Sequence, residues 1–391
     1  MFLLLLIIIF FRPFVCSLAY PGLNYWYSLF FLLFFLFWIA HKKLFTMPLS
    51  RMRYPAGAFL LALALSTAFS NRTFNSILAA DQYLIGIAFF VVTASLNPGE
   101  KNIFKRVLIM MGAAIGVLAI YQYFFGFAHT GAYVSRHNII SSFTLDYLQR
   151  KRVFFPFVTP NALAGYLSMI MLLAFGTKGT KWAILPLSIA FCLTQSLGAF
   201  VSFLCALGIY FYLSGAVKKR HAGIISAMLI LLLTVLILVR TQTHKEQSTP
   251  VFSALMRMNY WKDTWRIISS YPITGIGIGN FDLPGSRFAH NSYLQLWAET
   301  GILGLASFLW LAVLLLKKSL HNIVQSPDKK EKACVFAALT VFLIHNLFDF
   351  TFFLPEVSML WWGIAGLVFS IGAPRLKAEA SSLQQKTHSA K

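Results

Sequence analysis

About twelve stretches of this chain are apolar and approach the length of a bilayer crossing. They lie near 2–19, 24–40, 55–70, 83–96, 107–125, 160–175, 181–195, 198–214, 222–239, 292–316, 333–348 and 357–373. A hydrocarbon core about 30 Å thick asks for roughly 20 apolar residues of helix. It also offers no water to the backbone, so a spanning segment must satisfy its own N–H and C=O groups. The runs are continuous rather than alternating, which argues against a membrane barrel. The pattern therefore predicts an all-α, polytopic helical membrane protein with about 12 transmembrane helices, residues 1–391 forming a single membrane domain. Composition agrees: 58% of residues are hydrophobic and 12% charged, against about 25% charged in an ordinary soluble domain. The first run lacks a basic leader region, so it is expected to be a retained span rather than a cleaved signal peptide.

Charge sets the orientation. The chain carries a net +21, a value that in a soluble protein would suggest nucleic acid. Here most Lys and Arg fall in the short connections that lie on one side when the N-terminus is placed in the cytoplasm. Lys42, Lys43, Arg51, Arg53, Lys101, Lys105 and Arg106 are examples. This is the positive-inside pattern. It predicts both termini inside, a cytoplasmic tail at 374–391 and no nucleic-acid partner. The four cysteines, Cys16, Cys192, Cys205 and Cys334, all lie in apolar stretches. Neither a structural disulfide nor a metal cluster is expected from them.

Two outer connections break the pattern. One, about 126–159, carries Arg136, Arg150, Lys151 and Arg152. The other is a polar island at 240–290, between the ninth and tenth runs, with Arg240, Lys245, Arg257, Lys262, Arg266 and Arg287. Basic residues on the translocated side work against the topology rule, and binding an anion is the obvious gain. The alternative is that long loops escape the rule and their charges are solvated. No paired, interrupted helices recur in the two halves, which weakens a secondary-transporter reading.

Individual residues sharpen the picture. His290 stands where the island meets the next apolar run, and Asn291 or Ser292 can cap a helix starting there. A neutral imidazole at that boundary can take a proton from a hydroxyl, or it can be interfacial and inert. Glu299 lies inside the run, on a different face of the helix from His290. It is either functional or a packing hydrogen-bond group. Gly301 and Gly304 offer a smooth face for helix packing. Arg257, Trp261 and Trp265 share one helical face, suited to a phosphate and to the headgroup level, or simply to an interfacial helix. Gly275, Gly277 and Gly279 lack the strand–helix context of a dinucleotide loop and read as a permissive turn. Arg152 precedes a helix started by Pro160 and can converge with Arg257 on one diphosphate. Asp349, after His345 and Asn346, can orient a partner or neutralise an arginine, or be a plain ion pair. Arg12, inside the first run, is expected to snorkel or pair internally.

Four blocks, in order, resemble a known family: Pro160 to Leu167, the Arg257/Trp261 pair, Tyr271 to Phe281, and His290-Asn291 followed by Glu299 to Gly304. They resemble the O-antigen ligase and O-antigen polymerase superfamily of bacterial inner-membrane glycosyltransferases, across about 150–310. The resemblance implies a periplasmic active site and an inverting transfer that needs no metal or other cofactor. The donor would be a glycan on undecaprenyl diphosphate, a polyprenyl carrier, and the acceptor a lipid or glycolipid such as lipid A–core oligosaccharide, in lipopolysaccharide biosynthesis. It casts His290 as general base and Arg152 and Arg257 as diphosphate ligands, with Trp261, Asn291, Glu299, Asp349 and Arg287 in support. Arg150 and Lys151 compete with Arg152 for the same position. A polysaccharide polymerase or a protein O-oligosaccharyltransferase would use the same parts, and a small-anion transporter is the rival from another class.

Overall fold

A computed structural model describes residues 1–42, 51–136, 147–215, 250–283 and 285–369. Among these residues the chain is all-helical, with thirteen α-helices and no strand. The helices are α1 (Phe2–Phe11), α2 (Pro21–Lys42), α3 (Arg53–Ala68), α4 (Thr73–Ala94), α5 (Pro98–Tyr121), α6 (Phe127–Arg136), α7 (Pro160–Gly176), α8 (Ile184–Leu193), α9 (Leu197–Ser214), α10 (Pro250–Ser270), α11 (Ser292–Gln325), α12 (Lys329–His345) and α13 (Pro355–Leu367). A helix falls on each apolar run except that at 222–239, which lies outside the described residues, as do Arg240, Lys245 and the tail at 374–391. Five helical stretches are long and apolar enough to cross a membrane: α2, α4, α9, α11, and α5 together with its continuation to Ala132.

Helix ends follow local chemistry. Asn97 and Glu100 open α5 with a reciprocal capping box, both bonds at 2.9 Å, and Pro98 takes the first helical position, where its missing N–H costs nothing. Thr159 caps α7 by accepting from the Ala162 N–H at 3.1 Å, with Pro160 next. Several boundaries differ from the expectation, among them the start of α4. The apolar run begins near 83, yet α4 starts at Thr73. Its first turns carry Asn75, Ser76 and Asp81, so hydropathy there marks where lipid contact would begin and not where the helix does.

α7 and α13 form the centre. From Pro160 to Ala174 every residue of α7 except Asn161 is buried, and all of α13 is. A helix apolar all round belongs in such a position. α7 packs on α12 and α8, α13 on α4, α9 on α12, and α11 on α3. Arg12 does pair internally: it is buried, donates to the Val15 carbonyl and to Asn24, and lies 3.8 Å from Glu356.

From residue 250 onward the polar island is folded. α10 packs along α11. Tyr260, Ile268, Phe281, Leu283, Ala289 and Ala298 close a small apolar cluster between them, separate from the main core. The glycine-rich segment after α10 then locks into a break in α11. Gly301 has φ +67° and ψ −176°, which no helix allows. The break frees backbone groups that the segment takes up. Ile276 and Gly277 donate to the carbonyls of Ala298 and Glu299 at 2.9 and 3.0 Å, and Ile302 donates to Pro272 at 2.9 Å. Gly301 is therefore a joint rather than the smooth packing surface that the sequence suggested. A Cβ there would strike the Ile273 carbonyl.

Candidate functional site

The start of α11, the end of α12, the start of α7 and the middle of α10 meet at one end of the bundle. Asn291 caps α11, its side-chain oxygen accepting from Tyr293 and Leu294 N–H groups at 3.0 and 3.1 Å. Ser292 ties this end to α12: its N–H reaches the Asn346 carbonyl at 2.9 Å and its hydroxyl the Asn346 side chain at 2.6 Å. Between the cap and the glycine-rich segment stands His290, with φ +52°. Residues other than glycine seldom adopt that conformation, and it recurs at functional sites.

The His290 ring is held on two sides. It stacks on Tyr260 of α10, with centroids 5.7 Å apart, and meets Phe350 edge-on at 5.0 Å. Its Nδ1 is buried and makes no hydrogen bond. Burial pushes the imidazole below its ordinary value of 6.5; the Asp349 carboxylate pulls it back up, and Arg257 pushes it down. The ring is accordingly neutral at pH 7, the state a base requires.

Asp349 is itself buried. One carboxylate oxygen accepts from the Asn161 amide at 2.7 Å and the other from the Phe350 N–H at 2.8 Å. Asn161 in turn accepts from Arg152 at 3.2 Å, while the Arg152 Nε donates to the Thr194 carbonyl at 3.0 Å. The guanidinium also lies 5.4 Å from the Tyr147 ring centroid. Arg152, Asn161 and Asp349 thus form a polar chain, buried at both ends, that finishes beside His290. Of the three basic neighbours that competed in the sequence, Arg152 is the buried one; Lys151 is exposed and Arg150 half-buried.

Arg257 and Trp261 sit one turn apart on α10, as their spacing suggested. The Arg257 Nε and the Trp261 Nε1 are both buried, and among the described residues neither has an acceptor. Buried donors are nearly always paired, so this pair asks for an explanation. Arg257 is close enough to influence both His290 and His345 electrostatically.

The other candidates divide. Asn291 is a helix cap. Arg287 is exposed, and among the described residues no hydrogen bond or ion pair ties it to the site. Glu299 is buried, with one oxygen accepting from the Gly279 N–H and the other from Gln295, both at 2.9 Å. Gln295 passes the constraint on by accepting from the Ala289 N–H at 3.1 Å. Glu299 therefore fastens the glycine-rich segment to α11, the packing alternative that the sequence left open. Sequence reasoning passed over Asn161, Tyr260 and His345. Asn161 had a visible signal, being the one amide in an otherwise apolar helix. The ring of His345 is buried in space that Gly165 leaves free. Among the described residues, no group of three or more His, Cys, Asp or Glu side chains is arranged for a metal ion.

Residues 182–309, a third of the chain, match the family described as O-antigen ligase. No curated protein matches the chain. The match covers α10, the glycine-rich segment, His290 and the start of α11, so this region is similar to the O-antigen ligase family. In general terms it supports an enzyme of the ligase or polymerase type, acting on lipid-linked glycans in a membrane setting.

Proposed function

We propose that the protein transfers a glycan from a polyprenyl diphosphate, undecaprenyl diphosphate in bacteria, to an acceptor hydroxyl on the outer face of the cytoplasmic membrane. Lipid A–core oligosaccharide is the proposed acceptor. The observation carrying this reading is the coexistence, at one end of the bundle, of a neutral, half-buried imidazole and two buried donors that have no acceptor among the described residues.

His290 takes the proton of the acceptor hydroxyl. The oxygen then attacks the anomeric carbon from the face opposite the diphosphate. The carbon–oxygen bond to the diphosphate breaks, the electron pair leaves with that group, and configuration inverts. Arg257 and Trp261 donate to the diphosphate oxygens, and their bonds strengthen as negative charge develops. Arg152 has its Nε and Nη2 committed to protein acceptors, so it contributes chiefly as a fixed positive charge. Asp349 stabilises the imidazolium once it forms. The diphosphate is a good leaving group, and the barrier rests on holding two reactants in register and on removing one proton. No step is asked of a metal.

The test is transfer in membranes supplied with a lipid-linked donor and a core acceptor. His290→Ala should reduce the rate about 10²- to 10⁴-fold, the range for removal of a general base, while membrane insertion is unchanged. Near-wild-type transfer by that variant would overturn the assignment. Product length with and without the core acceptor separates a ligase from a polymerase, which would share every group named here.

A further inference from the structure

A second charged site lies at the other end of the helices. α7 runs from Asn161, beside Asp349, to Gly176; at about 1.5 Å per residue its far end is roughly 25 Å away. There a cavity of about 420 Å³ opens among the start of α5, the end of α7, the end of α11 and the start of α12. Five cations line it, against two carboxylates, Asp328 and Glu331.

The cations fall into two groups. Lys101 and Lys105 are nine-tenths buried and have structural partners. Lys101 donates to the carbonyls of Ala94 and Phe369, closing the ends of α4 and α13, and Lys105 pairs with Glu331. Arg106, Lys178 and Lys332 also border the cavity. Among the described residues none of these three has a hydrogen bond or ion pair. Solvated lysines on the cytoplasmic side satisfy the topology rule without any ligand. That rule does not account for their gathering around a concavity whose walls already hold two buried ammonium groups. Low-dielectric walls with an excess of one sign focus the field and concentrate counter-ions. Basic pockets between membrane helices suit phosphate headgroups.

We propose that this cavity binds a phosphate-bearing anion, either the headgroup of an anionic phospholipid or a free phosphate compound. The binding is independent of the glycan-transfer site. Arg106, Lys178 and Lys332 contact the ligand, and Lys101 and Lys105 contribute charge from the wall.

The test uses the full chain purified in detergent and titrated with dihexanoyl phosphatidylglycerol, dihexanoyl phosphatidylcholine or inorganic pyrophosphate. The proteins are the wild type, the triple variant Arg106→Gln/Lys178→Gln/Lys332→Gln, and Arg257→Gln. Phosphatidylglycerol affinity should fall about 10-fold or more in the triple variant and stay unchanged in Arg257→Gln. If pyrophosphate affinity also falls in the triple variant, the phosphate alone is read; if only the lipid's does, the source is a headgroup. Failure of phosphatidylglycerol and of pyrophosphate to bind overturns the proposal. So does phosphatidylglycerol binding lost in Arg257→Gln and kept in the triple variant, or equal affinity for phosphatidylcholine.

Discussion

Truncating Glu299 should loosen the glycine-rich segment before it touches the chemistry. In Glu299→Ala two donors lose their acceptor: the part-buried Gly279 N–H and the buried Gln295 amide. A buried orphaned donor costs about 1–3 kcal/mol, and one that water can reach costs less. Removing the carboxylate also relieves its own burial penalty. The net expectation is about 1–3 kcal/mol against the closed segment, or a rise of about 5- to 140-fold in its detached population at 1.4 kcal/mol per decade. Glu299→Gln keeps one acceptor oxygen and should cost about half as much. Limited trypsin cleavage after the exposed Arg287 reads this opening, because cleavage tracks the open population when reclosing is fast. Transfer should fall as well, since Gln295 would release the Ala289 N–H next to His290. A Glu299→Ala protein cleaved within about twofold of the wild-type rate, yet inactive, would refute the argument and put the carboxylate on the substrate.

Three other expectations follow from the same geometry. His290 is depressed below 6.5, so the neutral base persists as pH falls through 6.5 and transfer fails only at lower pH; between 6.5 and that lower value the unfolded chain takes the proton and the folded one does not, so folding stability falls across that window. Asp349→Asn should move this acid limb further down and Arg257→Gln should move it up, as read from kcat/KM against pH; opposite shifts would contradict the assigned charges. Arg257→Gln should also lower kcat/KM about 10- to 100-fold through the lost charged hydrogen bond to the donor, and an unchanged value would remove it from the diphosphate site. Gly301→Ala should prevent stable folding, because its backbone conformation disfavours a side chain and its Cβ would meet the Ile273 carbonyl; normal yield and thermal stability in detergent would contradict the joint.

The parts of this architecture that depend on neighbours in sequence were legible in advance. Continuous apolar runs announce helices, and Pro160 and Asn291 announce where two of them start. The Arg257/Trp261 spacing placed both on one face of a helix, and α10 is one. The parts that depend on distant partners were not legible. Asn161 matters because Arg152 and Asp349 arrive on either side of it from remote segments. Gly301 looks the same in sequence whether it smooths a helix or breaks it; the difference lies in Pro272 and Gly277, far upstream, which take the bonds the break releases. Tyr260 gives no hint of its stacking partner, because the turn that carries His290 is built by tertiary contacts.

The joint at Gly301 divides α11 into a short rod bearing the imidazole and a long one running to Gln325. The short rod is lashed to α12 through Asn346 and to the upstream segment through Glu299. His290, just ahead of the short rod, is thus registered on Asn346, Glu299 and Tyr260 rather than on the far end of one unbroken helix.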